Sequence, residues 1–380
     1  MTTQSTCVSL RPGVFTLLVS GLLWLVAPAA QAAPFAYITN ANSGTVSWID
    51  TATNTVVATV AVGTNPQGVA VNPAGTRVYV ANEGSGSVSV IDTATNTVAA
   101  TVPVGANPPR GVAVNPSGTR AYVTGSGSSG YVSVIDTATN AVLTTVAVGT
   151  NPRGVAVNPA GTRVYVTNEL SNNVSVIDTA TNAVLTTVAV GSLPRGIAFN
   201  PAGTFAYVAN GGGGSVSVID TASNAVVATV VVGAGPLGIA VNPAGTRAYV
   251  ANGASSSISV IDTTTNTVVA TVGFAVGTLP QGVAVNPAGT RAYVANLGTN
   301  NVSVIDTASN AVIATVTVGT GPVAFGLFIG GPAFAPPPPA AIGPIPTLSE
   351  WALMTLGVAL ATLGAVKLRR LNDRGGVRKR

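Results

Sequence analysis

The tripeptide Ile-Asp-Thr recurs seven times, with its aspartate at Asp50, Asp92, Asp136, Asp178, Asp220, Asp262 and Asp306. The spacings are 42, 44, 42, 42, 42 and 44 residues. A repeat of this period marks one supersecondary unit that cannot bury its apolar face alone and must stack on its neighbours. Read from Gly68, a unit opens with Gly68-Val-Ala-Val-Asn72, a strand, followed by Pro73-Ala74-Gly75-Thr76, a turn in which Pro sets φ and Gly can take φ > 0. Arg77–Asn82 reads as a second strand, Glu83–Ser87 as a loop of mostly small residues, and Val88–Asp92 as a third strand. Thr93–Asn96 is another turn, and Thr97–Val104 is the fourth strand.

Four short antiparallel strands per repeat make one propeller blade. The expected fold is therefore all-β: a seven-bladed β-propeller with four antiparallel strands per blade. The first copy starts late, at Ala36-Tyr-Ile-Thr-Asn40, and lacks its first strand. The last copy carries an extra one, Pro322 to Gly330. That C-terminal strand is expected to become the innermost strand of the N-terminal blade and so close the ring, leaving no unpaired edge between first and last blades. No stretch between Phe35 and Gly330 has helical periodicity.

Charged residues make up only 7% of the 380-residue chain, against about 25% in an average soluble protein. The apolar residues of the repeats are scattered Val and Ala among Thr, Ser, Asn and Gly. The body is thus a β-rich domain solvated by hydroxyls and amides. The basic pI of about 9.7 does not signal nucleic-acid binding. Residues 33–331 hold eight Arg, no Lys and nine acids, a formal net charge of −1. The excess sits in Lys367–Arg380, with seven cations and one acid. A phosphate-gripping protein needs its cations on the folded body. Cys7 is the sole cysteine and histidine is absent, so no disulfide framework is expected.

Both ends read as addresses. Residues 1–32 have the form of a signal peptide: Arg11, an apolar run from Val14 to Ala27, and Ala30-Gln31-Ala32 as an A-x-A site with cleavage between Ala32 and Ala33. An uncleaved anchor is the alternative. After a Pro-rich linker, 332–344, comes Ile345-Pro346-Thr347-Leu348-Ser349-Glu350-Trp351, then an apolar stretch from Ala352 to Val366, then Lys367, Arg369 and Arg370. Fifteen apolar residues are short for a spanning helix, which needs about 20. Interfacial Trp351 and the snorkelling cations allow it to span with the basic tail cytoplasmic. This block resembles the IPTL-CTERM sorting signal of Gram-negative bacteria. The resemblance implies an exosortase-type sorting enzyme as partner, with cleavage near Pro346-Thr347; an ordinary C-terminal anchor is the alternative. Either way the body is expected outside the cytoplasm, at the cell surface or in the outer envelope.

The Tyr-Val-Ala-Asn and Tyr-Val-Thr-Asn strings, with variants at Tyr37, Tyr79, Tyr122, Tyr165, Tyr207, Tyr249 and Tyr293, resemble the YVTN family of β-propeller repeats, found in many exported surface proteins. The resemblance implies the fold and leaves the role open.

The seven Asp are not expected to bind metal. Each is almost alone among acids in its repeat, no D-x-D-x-D-G loop occurs, and a turn-capping carboxylate accounts for all seven. The arginines opening the second strand (Arg77, Arg120, Arg163, Arg247, Arg291) are expected to pair locally or to cover apolar surface with their stems. The variable position of the Pro-x-Gly motif carries Gln67, Arg110, Arg153, Arg195, Leu237, Gln281 and Val323 in turn. It is expected at the channel mouth, where Arg110, Arg153 and Arg195 form a positive arc, with Gln67 and Gln281 on the same candidate ligand face. Loops between second and third strands vary on this face, while the opposite face is nearly invariant; this fits either a binding face or drift in tolerant loops.

The leading expectation is a monomeric, non-enzymatic exported protein without cofactor or metal, binding a glycan or an envelope or matrix component. The alternative is an exported propeller hydrolase or lyase, lactonase-like, acting at the channel mouth. Catalysis needs positioned acid–base groups or a metal. Here histidine is absent, and the acids of that face reduce to Glu83 and Glu169.

Overall fold

The computed structural model describes residues 34–330. Seven four-stranded antiparallel sheets form the seven blades of a β-propeller. Blade 1 takes residues 35–61 together with Ile329–Gly330; blades 2 to 7 take residues 66–103, 109–147, 152–189, 194–231, 236–273 and 280–317. In blade 2 the strands are Pro66–Val71, Arg77–Asn82, Ser87–Asp92 and Thr97–Pro103, from the inside outward. In blades 2 to 7 each inner strand starts at the Pro of Pro-x-Gly, two residues before the expected glycine.

Local chemistry sets the turns. Asn72 Oδ1 accepts the Arg77 N–H at 2.9 Å, and Gly75 takes φ 68°. At the other turn, Asp92 Oδ1 accepts N–H groups of Ala94 and Thr95 at 3.0 and 3.1 Å, and Asn96 adopts φ 57°. The same cap recurs at Asp50, Asp136, Asp178 and Asp262. It identifies the repeated aspartates as turn builders. The arginines opening the second strands also act locally: Arg163 and Arg247 reach the paired Asp178 and Asp262 at 2.6 Å.

The core lies between blades. Tyr79, Ala81, Val88 and Val90 of blade 2 pack against Val112, Ala121, Val123 and Ile135 of blade 3, and equivalent clusters continue around the ring. All seven repeat tyrosines are buried. Tyr165 donates to Asn224 Oδ1 of the next blade at 2.6 Å, and Tyr293 of blade 7 donates to Asn54 Oδ1 of blade 1 at 3.0 Å. The Pro-x-Gly glycine has a steric role. A Cβ on Gly68, Gly111 or Gly154 would overlap the carbonyl of Arg110, Arg153 or Arg195 on the following blade, so glycine lets adjacent inner strands close up. Each outer strand has a register shift against the third strand, a bulge that twists the exposed edge.

The C-terminal strand closes the ring, as the repeat count requires, but it is broken. Ile329 and Gly330 pair with Ala36 and Phe35, and Pro322 bridges Asn40. Val323 and Phe328 still bond to Thr39 and Tyr37 of blade 1, but residues 325–327 turn toward blade 2. Val69 and Val71 of blade 2 donate their N–H groups to Phe325 and Leu327 carbonyls at 2.8 and 3.2 Å. The reason is length. Pro66 and Val71 face Asn82 and Val78, whereas Pro322 and Ile329 face the equivalent Asn40 and Ala36, so two extra residues must be looped out. Ala324 at φ 46° and Gly326 at φ 109° absorb them. The ring is complete within residues 34–330, and each of its seven sheets is formed inside that span.

Candidate ligand site at the channel mouth

The inner strands surround a channel of about 740 Å³. At one end stand Gln67, Arg110, Arg153 and Arg195; at the other stand the prolines of the invariant turns, among them Pro73, Pro116, Pro159 and Pro201. Between them the lining includes Val114, Val157, Phe199, Val241, Val285 and Leu327.

The Pro-x-Gly residues thus part company. Gln67 and the three arginines line the channel, with the Gln67 amide held by Asn65 Oδ1 at 2.8 Å. Gln281 instead donates to the Leu279 carbonyl at 3.3 Å, and Leu237 and Val323 are buried. The arginine backbone is fixed from the preceding blade: Thr124 and Thr167 hydroxyls donate to the Arg153 and Arg195 carbonyls at 2.9 and 2.6 Å.

The arginine arc is not bare. Arg110 Nη2 contacts Glu83 Oε1 at 2.5 Å, and Glu169 lies between Arg153 Nε at 2.7 Å and Arg195 Nε at 2.9 Å. The glutamates are themselves held by asparagines of the blade-linking loops: Asn65 donates to Glu83 at 3.0 Å and Asn151 to Glu169 at 2.6 Å. Sequence reasoning placed Glu83 and Glu169 on this face but did not connect them to the arginines. The signal was present, because a residue just after the second strand and one at the start of a first strand, of its own blade or the next, lie on the same face of the ring.

Three guanidiniums face two carboxylates, leaving a net +1. Burial, followed by the charge of Arg153, pulls Arg110 below the ordinary guanidinium range against the opposing pull of Glu83. Arg195 is lowered by the same two causes, with Glu169 opposing. Both groups would therefore gain from a further negative charge. No group of three or more metal-ligating side chains occurs among the described residues. The sorting-motif residues Ile345–Trp351, the apolar stretch after them and the Ala32–Ala33 junction lie outside the described residues.

The fold is that of a β-propeller built from near-identical repeats. A family model for YNCE-like β-propellers matches residues 8–329, and the chain belongs to that family. The IPTL-CTERM motif matches residues 344–370, so the C-terminal segment carries a sorting motif of exported proteins. No curated protein matches the chain. Among solved structures, hydrazine synthase of Kuenenia stuttgartiensis is similar at 25% identity and TM-score 0.64, over 76% of this chain and 99% of that one. A functionally unknown protein from Desulfotomaculum acetoxidans DSM 771 is similar at 19% identity and TM-score 0.67, over 77% and 100%. The dihydro-heme d1 dehydrogenase NirN in complex with DHE is similar at 15% identity and TM-score 0.58, over 78% and 75%. The last two show the fold alone.

Proposed function

We propose that this chain is an exported, surface-attached binding protein without catalytic activity, which takes its ligand at the arginine-lined channel mouth. What supports this reading is the polarity of the ring. Gly330 pairs with Phe35, which itself faces Asp50, so the chain leaves the propeller on the invariant Asp-Thr face. Arg110, Arg153 and Arg195 stand at the opposite ends of the blades, beside Pro109, Pro152 and Pro194, which pair with Gly125, Asn168 and Asn210. A propeller tethered through its C-terminal sorting segment would hold its variable, cationic face outward.

Two measurements test the reading. Mass spectrometry of the surface-extracted protein should find a C-terminus near Pro346; an intact Arg380 would leave a simple anchor in place of sorting. The propeller should bind a polyanion such as dextran sulfate. A variant with all three arginines changed to Ala, and Glu83 and Glu169 to Gln so that no carboxylate is stranded, should lose that binding. Equal binding by both would remove the mouth from the function.

A further inference from the structure

Three observations at the mouth and below it fix the chemistry of the ligand, given the binding role proposed above. The first is charge. The cluster carries one positive charge more than its two glutamates neutralise, and the site is half-enclosed: the arginine side chains are 25, 19 and 28% exposed. One excess charge in such a place is matched by one anionic group.

The second is orientation. Arg153 donates to Glu169 through Nε at 2.7 Å, and Arg195 Nε stands 2.9 Å from the same carboxylate without hydrogen-bonding it, so both guanidiniums turn their bases, Nε first, toward Glu169. Two planar forks on adjacent blades, gathered at their bases around one carboxylate, offer their outer N–H donors to a planar or tetrahedral oxyanion.

The third is what lies deeper. Below the arginine level the channel wall is mainly aliphatic or aromatic, with Val114, Val157, Phe199, Val241, Val285 and Leu327, and asparagines such as Asn72, Asn200, Asn242 and Asn286 enter only at the far, proline-lined end. Phe199 is held in place by an edge-to-face contact with Tyr165, ring centroids 5.0 Å apart. From Arg153 to Val157 the inner strand advances four residues, about 13 Å at the usual rise. The cavity volume lies within the range of small-molecule sites. A hydrophilic sugar would leave these walls unused and forfeit hydrogen bonds to water.

We infer that the channel binds a singly charged amphiphile of the alkyl-carboxylate class, with its anionic head between Arg110, Arg153 and Arg195 and its apolar body along the Val157–Phe199–Val241 wall. Leu327, carried into the channel by the two-residue loop-out of the closing strand and 69% exposed, provides apolar contact for the tail.

The test uses the chain through Gly330, which contains the complete ring, in calorimetric titration with three probes kept below their aggregation concentrations: dodecanoate, dodecanol and acetate. Dodecanoate should bind at least tenfold more tightly than either of the others, since head and body each contribute. Arg195→Gln removes the excess charge while leaving the Arg153–Glu169 pair, and should weaken dodecanoate at least tenfold while leaving dodecanol unchanged. Val157→Trp fills the channel and should abolish dodecanoate binding without lowering dextran sulfate binding. Thermal unfolding of each variant checks that the ring remains intact, and a variant that does not fold is replaced by the neutral Arg195→Met or by Val241→Phe, for which the same losses are expected. Equal affinity for dodecanol and dodecanoate, or full dodecanoate binding by Arg195→Gln, would overturn the inference. If dextran sulfate binds through the arginines and dodecanoate does not bind, the amphiphile inference fails and the binding role stands; if neither binds, both fail.

Discussion

Gly125 and Tyr131 share one space: a Cβ on Gly125 would sit 2.6 Å from the Tyr131 ring. In blade 2 the same two positions hold Asn82 and Ser87, and Asn82 donates to Ser87 and Ser89 hydroxyls across the strand pair. In blade 3 the Tyr131 hydroxyl instead donates to the Val104 carbonyl and accepts the Asn107 N–H, each at 3.0 Å.

The two residues should therefore be energetically coupled. Gly125→Asn alone forces the ring out of place, an overpacking cost of about 1–3 kcal/mol. Gly125→Asn with Tyr131→Ser recreates the blade 2 arrangement. A double-mutant cycle by denaturant unfolding should give a favourable coupling of about 1 kcal/mol or more; additive costs would show that the two sites are independent.

Two tyrosines of the ring should respond differently to loss of the hydroxyl. Tyr165 spans to Asn224 on the next blade, so Tyr165→Phe should cost about 1 kcal/mol. The buried Tyr122 hydroxyl has no partner, so Tyr122→Phe should be neutral or stabilising. Comparison of unfolding midpoints decides the matter.

Alkali should unfold the propeller through these phenols. Burial raises Tyr37, Tyr79, Tyr122, Tyr165, Tyr207, Tyr249 and Tyr293 above the ordinary tyrosine value of 10.0. The unfolded chain therefore releases these protons first. Their contribution to stability is complete below about pH 10 and is lost as pH rises towards the folded-state values. Tyrosinate absorbance from the ring should appear together with loss of β-sheet signal; titration of all seven with the sheet intact would refute the prediction.

Phe328 anchors the closing segment. It is fully buried in the cluster joining blades 7, 1 and 2, and its carbonyl accepts the Tyr37 N–H at 2.8 Å. Phe328→Ala should cost about 3–5 kcal/mol, visible as a lowered unfolding midpoint. Ending the chain before Pro322 should be worse, exposing the inner edge of blade 1.

The repeat fixed in advance the blade count, the strand order and the closure, because Ile-Asp-Thr and Tyr-Val-x-Asn recur at constant offsets and each names a turn or a buried strand. The mouth was legible only as a row of positions. That Glu169 joins Arg153 to Arg195 depends on how near neighbouring inner strands approach, which the Pro-x-Gly glycines set in three dimensions. The break in the closing strand has no signature in the repeat, for a simpler reason. Pro322 to Gly330 carries Val323, Phe325, Phe328 and Ile329 as a strand signal, and its two surplus residues emerge only when its ends are matched to Asn40 and Ala36.

The pairing of Phe35 with Gly330 also bears on how the molecule assembles. A chain growing from its N-terminus completes blades 2 to 7 one after another, each from contiguous residues, while blade 1 waits without its inner strand until the last of the ring has been made. Late closure between distant segments is entropically expensive and slow. Until it occurs, the unpaired inner edge of blade 1 is the surface most exposed to mispairing with another chain.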